Sequence, residues 1–459
     1  MNQEHIFIPA CLLIYAAVLV WLAKRDAREA SSGYMIAGRQ VGVFATMASI
    51  AGNLRDGAGL AAWVVLGIYF GFGALWLTLG LCTALAVLAV IAPRVRKIAE
   101  ERDYISVQQL LNDNIGPLSA RLSTWIIAGT ALLYAAAQVY ISGSLFASAL
   151  AFPSWAGIAA VCAVVGGYLL LGGYYTTIRT GIVQWCVIMV IVVLPWLISS
   201  GGPLVVPLDT ITSPGLVTAS AFFGISFVVV FASADLWQLI FSAKSPASAR
   251  AGMAWTIPVY IAICLGLIFF AKAVQLALPS TTKPEQAFFE LFASGVMPEW
   301  IGAIVVLFVI ASVMSTLDSQ VFLFASTVVR GGLPTTVATD SPRMKSASQM
   351  VLAATMFILG LIAATIGNIV EFLFSAVTLG TVLAAPLALT VFRPNLRAGG
   401  IDRGIVCSLL VASLTYIFMF TKGMFANLAF TLVPPAVSAV GCLVALAFQR
   451  VRRDGNQAR

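Results

Sequence analysis

Apolar residues fill the chain in successive blocks of about 20, the length a helix needs to cross a hydrocarbon core of about 30 Å. Of 459 residues, 60% are hydrophobic and 10% charged, against roughly 25% charged in a typical soluble domain. A water-soluble globule of that composition would have too little polar surface to cover its core. An all-α membrane protein is therefore expected, with lipid as the solvent for most of the chain.

The blocks and their interruptions predict thirteen spans, near residues 5–23, 42–69, 72–93, 122–149, 154–176, 181–200, 217–242, 251–277, 300–329, 348–366, 370–391, 404–421 and 425–449. The net charge of +8 sits mostly in short loops, which encode orientation in a membrane protein and do not call for a nucleic-acid partner. Of the 26 Lys and Arg residues, 22 fall on one side under this alternation; Lys272, Lys283 and Lys422 fall on the other, and Arg55 falls within a span. The expected topology has the N-terminus outside and the C-terminus cytoplasmic, in a plasma membrane, with the bacterial inner membrane expected. The first block, Ile6 to Ala23, has no basic segment before it and no small-residue cleavage site after it, so it reads as a retained helix. Short surface helices are expected around Val107–Leu111 inside and at Pro284–Ala293 outside. The loops and the tail leave no room for a soluble domain.

The seven cysteines lie inside apolar blocks without metal-ligand spacing, and the one histidine is His5 near the N-terminus. No nucleophile–base set, metal cluster or phosphate loop is visible, so an enzyme is not expected and no cofactor is called for.

Irregular backbone at membrane depth is tolerated where it lines a site. The second span holds such a stretch, Ala51 to Gly59 (AGNLRDGAG), with three glycines, Asn53 and the charges of Arg55 and Asp56. An intramembrane charge costs at least about 2.5–3.5 kcal/mol on insertion scales. The two charges either neutralise each other or serve a ligand. The ninth span carries Ser312, Ser315 and Thr316 at i, i+3 and i+4, one helix face. Hydroxyls there, with carbonyls released by an unwound helix, would cage a small hard cation; alternatively they bond back to their own helix.

Three segments in order resemble the sodium:solute symporter family, which includes sodium/glucose and sodium/proline transporters. They are Gly33 to Arg39 (GYMIAGR), Asp235 to Ser245 (DLWQLIFSAKS, with Leu239 where Arg is usual) and Met314 to Ser319 (MSTLDS). The resemblance implies a LeuT-like core: a leading helix and inner loop (1–41), two inverted five-helix repeats (42–200 and 201–391) opening on broken helices, then two further helices and a tail (392–459), all within one transporter domain spanning 1–459. It implies Na+ as the coupling ion, held by the Ser315 and Thr316 hydroxyls and by carbonyls of Ser312, Leu54 and Gly57. Gly181 stands where some members carry an aspartate for a second sodium, which implies one coupled sodium here.

The implied activity is sodium-coupled uptake of a small organic solute by alternating access, working as a monomer. Arg55 suits a carboxylate, so an organic acid or amino acid is favoured; Arg55 held by Asp56 or Asp235 is the plainer reading. Further substrate-site candidates are Asp56, Gln138, Ser226, Phe227, Phe231 and Thr378. Polar stripes on the fourth span (Thr130, Tyr134, Gln138, Ser142) and the eleventh (Ser375, Thr378, Thr381) could instead be packing glue. Asp235 and Asp318, near the inner ends of their spans, are inner-gate candidates. Other readings are a proton-coupled transporter of the same fold and a membrane solute sensor working with a separate signalling partner.

Overall fold

The structure is a computed structural model, and it describes residues 7–29, 36–198, 204–332, 342–393, 396 and 400–457. Gly33, Tyr34 and Met35 of the first resemblance segment, and His5, lie outside the described residues. Helices dominate: α1 (Phe7–Glu29), α2 (Val43–Asn53), α3 (Gly57–Phe70), α4 (Leu75–Glu101), α5 (Val107–Asn114), α6 (Pro117–Leu150), α7 (Ser154–Ile188), α8 (Leu194–Ile198) and α9 (Gly215–Ala232). They continue as α10 (Ala234–Ser242), α11 (Pro246–Ala277), α12 (Pro284–Ala293), α13 (Glu299–Gly332), α14 (Pro342–Ala363), α15 (Ile369–Thr381), α16 (Ala384–Phe392), α17 (Asp402–Thr421) and α18 (Val433–Gln457).

Among the described residues, eleven helical stretches are long and apolar enough to cross a membrane. Two of them are too long for one crossing: Gly57–Glu101 has 45 residues and Ser154–Val192 has 39. At 1.5 Å per residue these would run about 60–70 Å if straight, twice a bilayer core. Each turns at a glycine in the left-handed region, Gly71 (φ +51°) and Gly173 (φ +57°). Inside α7 the reversal is visible in its partners: Tyr168 and Thr180 both donate to Asp318 Oδ2, at 2.8 and 3.2 Å. Twelve residues on a straight helix would separate them by about 18 Å, beyond their combined reach. Division at both glycines gives the thirteen passes expected, with the join between the fifth and sixth at Gly173, a little before the predicted gap.

Two passes are broken. The second is α2 and α3 with Leu54–Asp56 between them; the seventh is α9 and α10, parted at Ser233 in extended conformation. The indole of Trp237 donates to the Phe231 carbonyl at 2.8 Å, satisfying an acceptor that this second break releases. A short parallel bridge joins the chain before α2 to the end of α10: Val41 N–H donates to Ser242 O at 3.2 Å, and Lys244 N–H to Val41 O at 2.8 Å.

The helix α13 is the most enclosed, packed between α6 and α7, with α1 and the broken α2–α3 pass also against it. The amphipathic helices α5, opened by a Ser106–Gln109 capping box, and α12 lie where the two surface helices are expected. The last pair, α17 and α18, pack chiefly on each other at the periphery.

Candidate functional site

The first break is built by glycines and by one carboxylate. A Cβ at Gly52 would stand 2.6 Å from Ser315 Oγ, and one at Gly57 would overlap the Val313 side chain, so both let the broken pass approach α13 closely. Asp56 caps α3: its Oδ1 accepts from the Gly59 N–H (2.5 Å) and from Gln138 Nε2 (3.0 Å), and its Oδ2 from the Tyr134 hydroxyl (2.7 Å). Gln138 Oε1 in turn accepts from Ala58 N–H at 3.2 Å. Tyr134 and Gln138 of the α6 stripe therefore brace the break, and Gln138 spends its amide there.

The carbonyls freed by the break face different neighbours. Asn53 O accepts from Thr316 Oγ1 at 3.2 Å, whereas Leu54 O accepts from the Tyr260 hydroxyl of α11 at 3.1 Å. The carbonyl that meets the hydroxyl face of α13 is thus that of Asn53, one residue before the Leu54 expected from the resemblance. Asn53 also accepts from Ser319 Oγ at its Oδ1 (3.0 Å) and donates from Nδ2 to Asp235 Oδ2 (3.5 Å), which joins the two breaks.

On α13, the Ser312 hydroxyl bonds back to Phe308 O at 2.9 Å. Ser315 Oγ is buried and has no hydrogen-bond partner, and neither has Ser49 Oγ on α2. Both residues border a small polar cavity of about 10 Å3, with Asn53, Thr177, Gly181 and Asp235 among its other walls. That is room for one water-sized species. Hydroxyl and amide oxygens gathered around such a volume, with the Asp235 carboxylate on its wall, suit a small hard cation. Ser49 and Asn53 were not among the expected ligands; the signal for them was polarity inside an apolar span beside the glycines.

Arg55 is 2% exposed and its guanidinium lies 5.4 Å from the Trp63 ring centre. Its Nε and Nη1 have no acceptor, and among the described residues no carboxylate lies within 4 Å of it. The ion pair with Asp56 or Asp235 is therefore not formed. Arg55 instead borders a cavity of about 130 Å3 with Asp56, Trp63, Tyr134, Ser226, Tyr260 and a largely aliphatic wall.

Further cavities continue from it, each sharing walls with the last. One of about 50 Å3 shares Tyr134, Val229 and Val377 and reaches Asp235. One of about 20 Å3 shares Ala234 and Leu323 and reaches Gln238 and Arg330. The last, about 670 Å3, shares Gln108, Thr327 and Arg330 and adds Arg102 and Arg121. Together they trace a route from the Arg55 cavity toward the side rich in basic residues.

Of the expected substrate residues, Arg55, Asp56 and Ser226 border the central cavity. Phe227 stacks between Phe223 and Phe231, and Phe231 meets Trp237 edge-on, in the seventh pass. Thr378 donates to Phe374 O at 2.6 Å, and Val377 is the residue of that turn facing the cavity. Neither gate candidate makes an ion pair among the described residues: Asp235 accepts from Ser233 and Asn53, and Asp318 from Tyr168, Thr180 and Ser319.

Comparisons with known proteins agree with this architecture. The sequence model of the Sodium:solute symporter family matches residues 210–396, bearing out the resemblance. The osmoregulated proline transporter OpuE of Bacillus subtilis (strain 168) is 26% identical over 360 residues, covering 72% of this chain and 70% of its own. A sodium/proline symporter of Staphylococcus aureus is 25% identical over 363 residues, covering 71% and 67%. These relatives are transporters and not enzymes. A solved structure of a Na+-coupled sialic acid symporter, in a substrate-bound outward-open state, superposes with a TM-score of 0.77 over 96% of each chain at 15% identity. The LeuT-like multi-pass fold is thereby established.

Proposed function

We propose that this chain is a sodium-coupled symporter that takes up a small organic acid or amino acid across a bacterial plasma membrane by alternating access. One observation carries the reading: the broken second pass meets the hydroxyl face of α13 through Thr316 and Asn53, with the unpartnered Ser315 hydroxyl beside them. The names of the proline-transporting relatives support it.

In this reading one Na+ binds between α2 and α13, using Ser315 Oγ, Thr316 Oγ1 and the Asn53 carbonyl. Carbonyls of Ser312 and Gly57, neighbours across the α3–α13 contact, would complete the shell. Sodium ties the broken pass to α13, favours the outward-open form and prepares the Arg55 cavity for substrate. Closing outside and opening inside then releases both ligands. Coupling needs no more than a difference in each ligand's affinity between the two forms. A single sodium is proposed because Gly181 offers no side-chain oxygen at the small cavity beside Ser49 and Ser315. With one Na+ and one monoanion no net charge moves, so a tenfold sodium gradient supports about tenfold accumulation. The protein would work as a monomer, N-terminus outside and C-terminus inside.

The test is uptake by proteoliposomes under an imposed sodium gradient, screening amino acids, short carboxylates and sugars. Sodium-driven uptake of a carboxylate supports the reading. Competition by neutral sugars but not by monocarboxylates would remove Arg55 as the substrate's partner.

A further inference from the structure

We infer that the substrate is a small apolar monocarboxylate without an amino group; the inference rests on the symporter reading and narrows it. Three features of the central cavity lead there.

The cavity has a partner for a carboxylate. Arg55 borders the cavity, its Nε and Nη1 are enclosed without an acceptor, and no protein carboxylate lies within 4 Å of it among the described residues. A buried guanidinium held beyond ion-pair distance of any carboxylate is costly, and a carboxylate entering beside it would supply the missing close partner.

The carboxylate nearest an ammonium group is already engaged. Asp56 is the carboxylate on the cavity wall, and three donors already occupy it: the Gly59 N–H, Gln138 and Tyr134. The next carboxylate, Asp235, lies in the adjoining cavity and is taken by Ser233 and Asn53. An ammonium here would face Arg55 in the same small volume. Replacing it with a methyl group removes that repulsion and suits the wall.

The wall is apolar. Leu77, Leu81, Ile225, Val230, Leu373 and Phe374 are among the apolar side chains that outnumber its polar ones, and the Tyr260 hydroxyl already donates to Leu54 O. A sugar would leave several hydroxyls unpaired against these side chains. At about 130 Å3 the space is close to a cavity that accepts benzene, so roughly six non-hydrogen atoms fit.

Two pairs of nearly isosteric molecules test this on the full-length protein in proteoliposomes: isobutyrate against alanine, and cyclopentanecarboxylate against proline. In each pair a CH3 or CH2 becomes a charged nitrogen. Under a sodium gradient, isobutyrate enters, and the acid lacking nitrogen competes better than its amino partner by about a hundredfold. Arg55→Met abolishes isobutyrate uptake while sodium still raises the melting temperature of the detergent-solubilised protein. The ligand pairs need no variant, so a poorly folding Arg55→Met leaves the test intact. Sodium-driven uptake of alanine, proline or a sugar at least equal to that of the acids overturns the inference and spares the symporter reading. Isobutyrate uptake driven by a proton gradient and indifferent to sodium does the reverse. If neither gradient moves any of the acids, the inference falls.

Discussion

The Thr316 hydroxyl donates to the Asn53 carbonyl at 3.2 Å, joining a helix that runs unbroken through the protein to one that stops midway. Asn53 is the last residue of α2, so its carbonyl has lost its helical partner and is free to turn outward. One residue away from Thr316, Ser315 Oγ is enclosed without a partner. An ion that collects these oxygens would hold the two helices together, and its departure would let them part.

Removing the Ser315 hydroxyl should separate ion binding from stability. Ser315→Ala deletes a desolvated group that bonds to nothing in the protein, so folding is nearly unaffected. Thr316→Ala strips Asn53 O of its donor and costs about 1–2 kcal/mol. Both raise the sodium concentration for half-maximal thermal stabilisation by about tenfold or more. Melting curves across a sodium titration give both quantities.

Gly57→Ala pushes a methyl group into Val313, and overpacking of this kind costs about 1–3 kcal/mol. Val313→Ala vacates the contested space, so the double variant should recover more than half of the loss. A thermodynamic cycle over the four proteins reads the coupling directly.

Asp56→Ala should be among the most damaging changes near the break, because it strands the Gly59 N–H, the Gln138 amide and the Tyr134 hydroxyl together. A loss of about 3 kcal/mol or more is expected. Asp56→Asn keeps an acceptor for the cap and should cost clearly less. Chemical denaturation of the two variants side by side checks the order.

Transport of one Na+ with one monoanion should be electroneutral. Uptake rates in proteoliposomes clamped at zero and at −100 mV should agree, and substrate addition should produce no sustained current. A steady inward current would indicate a second cation or a neutral substrate.

The break in the second pass was legible because three glycines, an asparagine and two charges have no reason to lie in lipid unless they line something. The hydroxyls of α13 were legible from their spacing. Which carbonyl meets them was not, since each residue turns the helix by about 100°. That direction is set by Asp56 capping α3 and Tyr260 claiming Leu54, contacts between distant segments. The polar stripes were visible but their use was not. Thr130, Ser142, Ser375, Thr378 and Thr381 bond to their own helices, as hydroxyls in lipid often do, while Tyr134 and Gln138 reach across to Asp56. At Gly173 the apolar pattern runs on through the reversal with no polar loop, so sequence placed the gap a few residues late.

The most direct test of sodium coupling is initial isobutyrate uptake into proteoliposomes, with inward sodium replaced by choline at fixed pH, for the native protein and for Ser315→Ala with Thr316→Ala. Uptake should collapse in choline, and the double variant in sodium should match the native protein in choline. Equal uptake in both salts, or a double variant as active as the native protein, would contradict a sodium ion held between α2 and α13.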